Sequence, residues 1–131
     1  MSKIIRQTVT IKASPKDVYE ALMDSKKHST FTGRTAKISR KVGGTFMAHE
    51  GYIEGINLEL IPNQKIVQSW HANEMNWPDR YFSTVTFTLS KVKGGTKITF
   101  SHAGVPDEYR EPINQGWKDY YWKPLKDYLE K

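Results

Sequence analysis

The spacing of apolar residues changes along the chain, and this change constrains the fold more than any other feature of the sequence. The middle of the chain consists of short alternating stretches, separated by the turn signals Gly43-Gly44, Pro62-Asn63 and Gly94-Gly95. From Ile113 to Tyr128 the apolar residues recur at helical spacing instead. Tight turns join antiparallel neighbours, and the apolar face of such a sheet needs a cover. The sequence therefore predicts an α+β fold, in which a curved antiparallel sheet of about six strands packs on a long C-terminal helix.

The N-terminal part of the chain predicts a strand followed by one or two short helices. Ile4–Ile11 alternates in the manner of a half-buried strand. Ser14-Pro15 is a helix-start signal, because serine accepts a hydrogen bond from an unpaired amide and proline suits the first helical position. Lys26–Phe31 predicts a second short helix or a turn. At the other end of the chain, Pro124 is expected to kink the terminal helix.

Length and composition are those of a single globular domain over residues 1–131. Apolar residues make up 37% of the chain and aromatic residues 12%, which argues against a disordered chain. Cysteine is absent, which excludes a disulfide scaffold and a thiolate metal site and fits a reducing compartment. No apolar run reaches the roughly 18 residues of a membrane span, and the first ten residues lack the apolar stretch of a signal peptide. We expect a cytoplasmic protein without a membrane span.

Positive charge is concentrated near the N-terminus. The net charge is +6, and residues 1–41 carry ten basic and three acidic side chains. Residues 26–41 contain no acidic residue. We call their basic side chains the basic surface: Lys26, Lys27, Arg34, Lys37, Arg40 and Lys41. This basic surface either binds an acidic partner or keeps the domain soluble. Nucleic acid is not expected as a partner, because aromatic residues do not alternate with the basic ones.

Large aromatic residues are predicted on both sides of the interface between sheet and helix. The candidate set comprises Phe46, Trp70, Trp77, Phe87, Phe100, Trp117 and Tyr121. Such rings either fill the interface as ordinary core or leave a cavity for a small hydrophobic ligand, since ligand sites have apolar walls with few polar groups. Trp77 is expected on a loop near the cavity mouth. The sequence leaves both alternatives open.

Few residues are arranged for catalysis. Strand parity places His102 on the face of Ile98 and Phe100, and Glu54 with His102 is the one acid–base pair that the pattern offers. Alternatively, His102 is a core histidine with one backbone hydrogen bond and Glu54 lies at a strand edge. The four histidines lack metal-ligand spacing, and no glycine-rich cofactor motif or nucleophile elbow is present. The sequence predicts no metal, no cofactor and a binding domain rather than an enzyme.

Several segments together resemble a known family. Ala13–Leu22 resembles the opening of the START/birch-pollen-allergen superfamily, also called SRPBCC. Gly43–Phe46 and Leu60–Trp70 resemble one branch of it, the domain homologous to the activator of the heat-shock protein 90 ATPase. Trp77-Pro78 and Gln115–Tyr121 are similar to the C-terminal domain of the eukaryotic activators in particular. The resemblance covers nearly the whole chain.

This resemblance implies a helix-grip fold with six or seven antiparallel strands. It also implies a cavity between helix and sheet, which superfamily members use for lipids, hormones or polyketides. In the eukaryotic activators a separate N-terminal domain does most of the docking and ATPase stimulation, and 131 residues leave no room for it. The first hypothesis is therefore a non-enzymatic domain that binds a small hydrophobic ligand. The second is a co-chaperone-like module that contacts heat-shock protein 90 through the basic surface, and the third is an acid–base enzyme.

Overall fold

The computed structural model describes residues 4–73, 77 and 81–130 of the chain. In these residues seven strands are present: β1 (Ile5–Ile11), β2 (Lys37–Ile38), β3 (Thr45–Ala48), β4 (Ile53–Ile61), β5 (Lys65–Ala72), β6 (Ser83–Val92) and β7 (Gly95–Ala103). The α-helical segments are α1 (Pro15–Met23), α2 (Ser25–Thr32), α3 (Arg110–Trp117) and α4 (Lys123–Leu129). A π-helical segment over Lys118–Trp122 joins α3 to α4, and short 3₁₀ turns cover His49–Gly51 and Asp107–Tyr109.

The strands form one sheet in which every neighbouring pair is antiparallel. Their order is β1-β7-β6-β5-β4-β3-β2. Each strand from β2 to β7 therefore pairs with its neighbour in sequence, and β1 closes the order by pairing with β7, Ile5 opposite His102. A register shift between Asn57 and Glu59 interrupts the pairing of β4 with β5. The predicted α+β helix-grip fold is confirmed, and its seven strands agree with the six or seven expected.

Local capping explains the two short helices. The Ser14 hydroxyl accepts a hydrogen bond of 3.1 Å from the backbone amide of Asp17, as the sequence predicts. A carboxylate oxygen of Asp24 accepts one of 2.9 Å from the amide of Lys27, and this cap starts α2 one residue before the predicted segment. Gly33 ends α2 in the left-handed conformation, with φ of 75°. The second segment is therefore a helix and not a turn.

The C-terminal helix, residues 110–129, changes its winding directly before Pro124. Proline has no amide hydrogen to donate, and its ring crowds the carbonyl group four residues earlier, that of Tyr120. The π-helical segment Lys118–Trp122 includes this residue. Wider winding at this point lets the helix continue through Pro124 to Leu129. The sequence predicts a kink of the helix at Pro124, and the structure shows a π-helical segment directly before it.

The inner face of the sheet packs on this helix. On β6 the buried apolar side chains are Val85, Phe87 and Leu89, and β7 buries Ile98 and Phe100 beside His102. The helix contributes Trp117, Tyr121, Trp122 and Leu125. The alternating threonines Thr84, Thr86 and Thr88 lie on the outer face, as strand parity predicts. No helix in the described part of the chain is long and apolar enough to cross a membrane.

Candidate ligand-binding site

Aromatic rings meet where the C-terminal helix crosses the centre of the sheet. The indole of Trp117 lies 4.4 Å, between ring centroids, from both Phe100 and Tyr121. It also approaches Phe87 at 5.9 Å and Trp70 at 6.1 Å. Edge and tilted contacts of this kind stabilise a core beyond the area that they bury. The structure thus brings together most of the aromatic residues predicted for a ligand site.

These rings fill the centre of the interface. The space left between Phe46, Phe87 and Tyr121 is a cavity of only about 20 Å³, which is room for one water molecule. Phe100 is 1% exposed and packs against other rings. At the end of the sheet, Trp77 contacts Trp70 with centroids 5.8 Å apart. The centre of the interface between sheet and helix is therefore ordinary core.

A larger opening lies at one end of the interface, and we call it the mouth cavity. Its volume is about 430 Å³. The sheet side and its loops contribute Arg34, His49, Tyr52, Ile53 and Trp70. The helix side contributes Pro112, Ile113, Gly116, Trp117, Tyr120 and Tyr121. Three predicted ligand residues, Trp70, Trp117 and Tyr121, form its inner wall, and sequence reasoning missed most of the rest.

Two features of the backbone open this end. Gly116 lies in α3 between helix and cavity, and a side chain there would meet no atom nearer than Tyr120, 3.7 Å from an added Cβ. Opposite it, the turn His49–Gly51 holds His49 at φ of 51° and Gly51 at φ of 94°. A positive φ is uncommon for any residue other than glycine and marks a locally constrained turn. In the sequence, the signal for this opening was Gly116, a small residue among the aromatic residues of the C-terminal helix.

His49 gives the mouth a polar wall. Its ring lies 5.3 Å from that of Tyr121, between centroids. Burial lowers the pKa of His49, and the positive charge of Arg34 lowers it further. The imidazole is therefore neutral at pH 7. The mouth cavity thus combines aromatic walls with a neutral histidine and the guanidinium of Arg34.

His102 belongs to a closed hydrogen-bond chain beneath the cavity. The indole Nε1 of Trp117 donates to Nδ1 of His102 at 3.1 Å, so this nitrogen is an acceptor. Nε2 therefore carries the proton and donates to Oγ of Ser83 at 2.7 Å, while Ser83 donates to the carbonyl oxygen of Trp70 at 3.0 Å. Burial lowers the pKa of His102 to about 3. The chain is complete only when His102 is neutral.

This chain has the residue types of a Ser-His dyad without its proton arrangement. A nucleophilic serine must donate its proton to the histidine. Here the histidine donates to Ser83, whose own proton is directed at Trp70. Both residues are buried, at 2% and 0% exposure. The geometry is that of a structural link between β5, β6, β7 and the helix.

The acid–base pair considered in the sequence is not assembled. Glu54 lies exposed on the outer face of β4, and its carboxylate accepts a 3.2 Å hydrogen bond from Asn73. His102 lies on the inner face of β7. Glu54 and Ile56 lie on the same face of β4, as strand parity predicts, but this face is exposed to solvent. The histidine opposite Glu54 in the β4–β5 pair is His71.

His28 is also buried and lines the small central cavity. Its Nδ1 lies 3.1 Å from the carbonyl oxygen of Leu22, to which it donates. Its Nε2 is buried without a hydrogen-bond partner among the described residues. Burial lowers the pKa of His28 to about 4. A water-sized space beside an unpaired ring nitrogen fits one bound water molecule.

The basic surface of the sequence is spread around the β2 edge of the sheet. Lys26 and Lys27 lie on α2, and Lys37 lies on β2. Arg40 and Lys41 lie in the following turn, where Arg40 forms a 2.6 Å ion pair with Glu20. Arg34 lines the mouth cavity. In the described part of the chain no cluster of three metal-ligating side chains occurs.

Comparison with known proteins identifies the family. The sequence profile of the family described as Activator of Hsp90 ATPase homolog 1-like protein matches residues 12–130. The chain belongs to this family. It is 29% identical over 117 residues to the human Activator of 90 kDa heat shock protein ATPase homolog 1, covering 89% of this chain and 34% of that protein. The Dictyostelium discoideum activator homolog is 31% identical over 118 residues, covering 89% and 30%.

The chain therefore spans about a third of the length of these activator relatives. Solved structures of the activator family share the fold over nearly the whole chain. The crystal structure of an HSP90 activator from Plasmodium falciparum has a TM-score of 0.89 and 25% identity, covering 98% of this chain and 97% of that one. The solution structure of the Aha1 dimer from Colwellia psychrerythraea has a TM-score of 0.83 and 24% identity, with the same coverage. The latter likeness concerns the fold alone.

Proposed function

We propose that this chain is a non-enzymatic binding domain that holds a small apolar ligand in the mouth cavity. The observation that carries the proposal is the cavity itself, about 430 Å³ in volume and walled by Trp70, Trp117 and Tyr121. Small-molecule sites occupy roughly 300–1,000 Å³ and have mostly apolar walls with a few polar groups. His49 and Arg34 are the polar groups here.

The enclosed histidines support binding rather than turnover. A general base must take up a proton near the working pH. Burial holds the pKa of His102 at about 3 and that of His28 at about 4, so neither takes up a proton at pH 7. Glu54 lies on the other face of the sheet. A ligand in the mouth cavity would meet aromatic faces and a neutral His49 rather than an acid–base pair.

The test is an amide NMR titration with N-phenyl-1-naphthylamine, a neutral apolar probe whose fluorescence rises on burial. We expect saturable shifts at Ile53, Ile113 and Gly116, which line the mouth cavity, and small shifts at Leu89 in the closed part of the core. The indole signal of Trp117 should move with them. Saturable binding with shifts confined to other surfaces, or no binding at all, would contradict the proposal.

A second function is favoured by the family, namely contact with heat-shock protein 90 through the basic surface. Two relatives are named as activators of the 90 kDa heat shock protein ATPase. Lys26, Lys27, Lys37 and Lys41 lie exposed on one side of the fold and are suited to an acidic protein surface. Because the chain spans about a third of those relatives, contact is proposed here and stimulation of the ATPase is not.

Salt and charge reversal test this second function. Exposed charges are screened beyond about 8 Å at physiological ionic strength, so affinity for heat-shock protein 90 should fall as salt is added. The double variant Lys37→Glu/Lys41→Glu should weaken binding at least tenfold. The matched control Lys91→Glu/Lys93→Glu changes the same charge at the β6–β7 hairpin and should change affinity less than twofold. Equal effects of the two variants would remove the basic surface from the interface.

A further inference from the structure

A second groove lies at the opposite edge of the sheet from the basic surface and is used by neither function proposed above. It runs between β1 and the C-terminal helix and has a volume of about 370 Å³. Gln7, Thr8 and Val9 of β1 form one wall. The helix forms the other wall with Trp122 and the three lysines Lys118, Lys123 and Lys126. We call it the lysine groove.

The strand that forms one wall is an edge strand. β1 pairs with β7 on one side, and no strand of the described chain pairs with it on the other. Alternate backbone N–H and C=O groups along such an edge point outward, and another chain can pair with them. Lys12 directly follows β1, and its backbone amide donates a 2.9 Å hydrogen bond to the Glu130 carboxylate.

The three lysines give the groove its charge. None of them forms an ion pair with a carboxylate in the part of the chain that the structure describes. Asp127 is the one acidic residue among the lining side chains, so the lining carries a net charge of +2. The lysines of the helix therefore favour an anionic occupant beside a strand edge that offers backbone hydrogen bonds.

The floor of the groove is held in place by hydrogen bonds. Nε1 of Trp122 donates to Oε1 of Gln7 at 2.5 Å. Nε2 of Gln7 donates to the carbonyl and side-chain oxygens of Asn114, at 2.8 and 2.9 Å. Strand and helix are thus fixed at a constant separation across the groove. A pre-formed site loses less conformational entropy on binding than a flexible one.

The spacing of the lysines matches an extended chain. Lys118 and Lys126 lie eight residues apart, which is about 12 Å along a regular α-helix and slightly less here, because Lys118–Trp122 is π-helical. In an extended strand, side chains on one face repeat about every 7 Å, so three alternate carboxylates span about 13 Å. Three acidic side chains at alternate positions can therefore face the three lysines while their backbone pairs with β1.

A second copy of β1 is a poor occupant of this groove. Residues 4–13 contain Arg6 and Lys12 and no acidic residue. Self-pairing at this edge would bring like charges together beside three further lysines, which disfavours it. We propose that the lysine groove binds an extended acidic segment of a partner protein, which adds a strand to β1 and pairs its carboxylates with Lys118, Lys123 and Lys126.

The test uses a fluorescein-labelled octapeptide in which Glu alternates with Thr, followed by anisotropy. The triple variant Lys118→Gln/Lys123→Gln/Lys126→Gln should weaken its binding at least tenfold. The control Lys26→Gln/Lys27→Gln/Lys41→Gln removes the same charge at the opposite edge and should change affinity less than twofold. Amide shifts on peptide binding should be centred on Gln7–Val9 and Lys118–Asp127. The Gln-for-Glu peptide should bind at least tenfold more weakly.

Two further probes separate strand addition from simple charge attraction, and both use the unaltered protein. An octapeptide of the same sequence with N-methyl groups at every residue keeps the carboxylates but loses its amide donors, so it should bind at least tenfold more weakly. A DNA duplex of equal charge should compete poorly. Absence of peptide binding, equal affinity for the N-methylated peptide, equal affinity for DNA, or an equal loss in both triple variants would overturn the proposal.

Discussion

Nε1 of Trp117 on the C-terminal helix donates a hydrogen bond of 3.1 Å to Nδ1 of His102 on β7. This single contact fixes the tautomer of His102 and the orientation of the Trp117 indole. The same indole forms part of the inner wall of the mouth cavity. The hydrogen-bond chain in the core therefore positions a wall of the proposed ligand site.

Removing Oγ of Ser83 should destabilise the fold. Ser83→Ala changes little volume but leaves Nε2 of His102 and the carbonyl of Trp70 without their partner. Leaving a buried polar group unpaired costs about 1–3 kcal/mol, so the free energy of unfolding should fall by that amount in urea denaturation. The control Ser101→Ala on the outer face of β7 should stay within about 0.5 kcal/mol of the wild type. Equal stability of the two variants would contradict the role given to this chain.

Stability should fall as the pH is lowered from 7 to 5. Burial lowers the folded-state pKa of His28 to about 4 and of His102 to about 3, whereas the unfolded value is near 6.5. Below pH 6.5 the unfolded chain therefore binds protons that the folded chain does not. Each histidine should cost about 2 kcal/mol of unfolding free energy between pH 7 and pH 5.

Urea denaturation at several pH values measures this loss. The window lies above the usual carboxylate range, so buried histidines dominate it, and His49, whose pKa burial also lowers, adds to the decrease. His28→Gln removes one contribution and should reduce the decrease by about 2 kcal/mol. Unfolding free energies that agree at pH 7 and pH 5 would show that the histidines are not held neutral.

Gly55 should not tolerate a methyl group. A Cβ at this position would lie 1.9 Å from the carbonyl oxygen of Ser69 on β5 and 2.7 Å from a ring carbon of Phe46. Strands β4 and β5 must move apart to admit it, and overpacking of this kind costs about 1–3 kcal/mol. Gly116→Ala is the matched control, since its Cβ would make only an ordinary van der Waals contact of 3.7 Å with Tyr120 and should raise the unfolding free energy by up to about 1 kcal/mol. Denaturation curves that place Gly55→Ala at wild-type stability would contradict this packing.

Strand and helix placement could be predicted from the sequence because the deciding interactions are local. The alternation of Val85, Phe87 and Leu89 fixes the inner face of β6, and Ser14 fixes the start of α1. The parity of His102 with Phe100 is also correct. The family resemblance added the helix-grip topology, which follows from the order of the elements rather than from any one residue.

The position of the cavity could not be predicted in the same way. It depends on the turn at His49 meeting Gly116 of the helix, two positions far apart in sequence. A positive φ at a histidine leaves no mark in the sequence pattern. Packing also decides which aromatic residues are buried. Phe46 and Phe87 line the small central cavity, whereas the exposed Tyr52 and Tyr120 border the mouth cavity.

The most direct test of the ligand site is to fill the mouth cavity. Gly116→Phe places an aromatic ring in it, and Gly116→Ala adds one methyl group at the same position. Fluorescence titration with N-phenyl-1-naphthylamine compares the two variants after amide spectra have shown both to be folded. We expect at least a tenfold loss of affinity for Gly116→Phe and less than a twofold change for Gly116→Ala. Wild-type affinity in Gly116→Phe would contradict a ligand site in the mouth cavity.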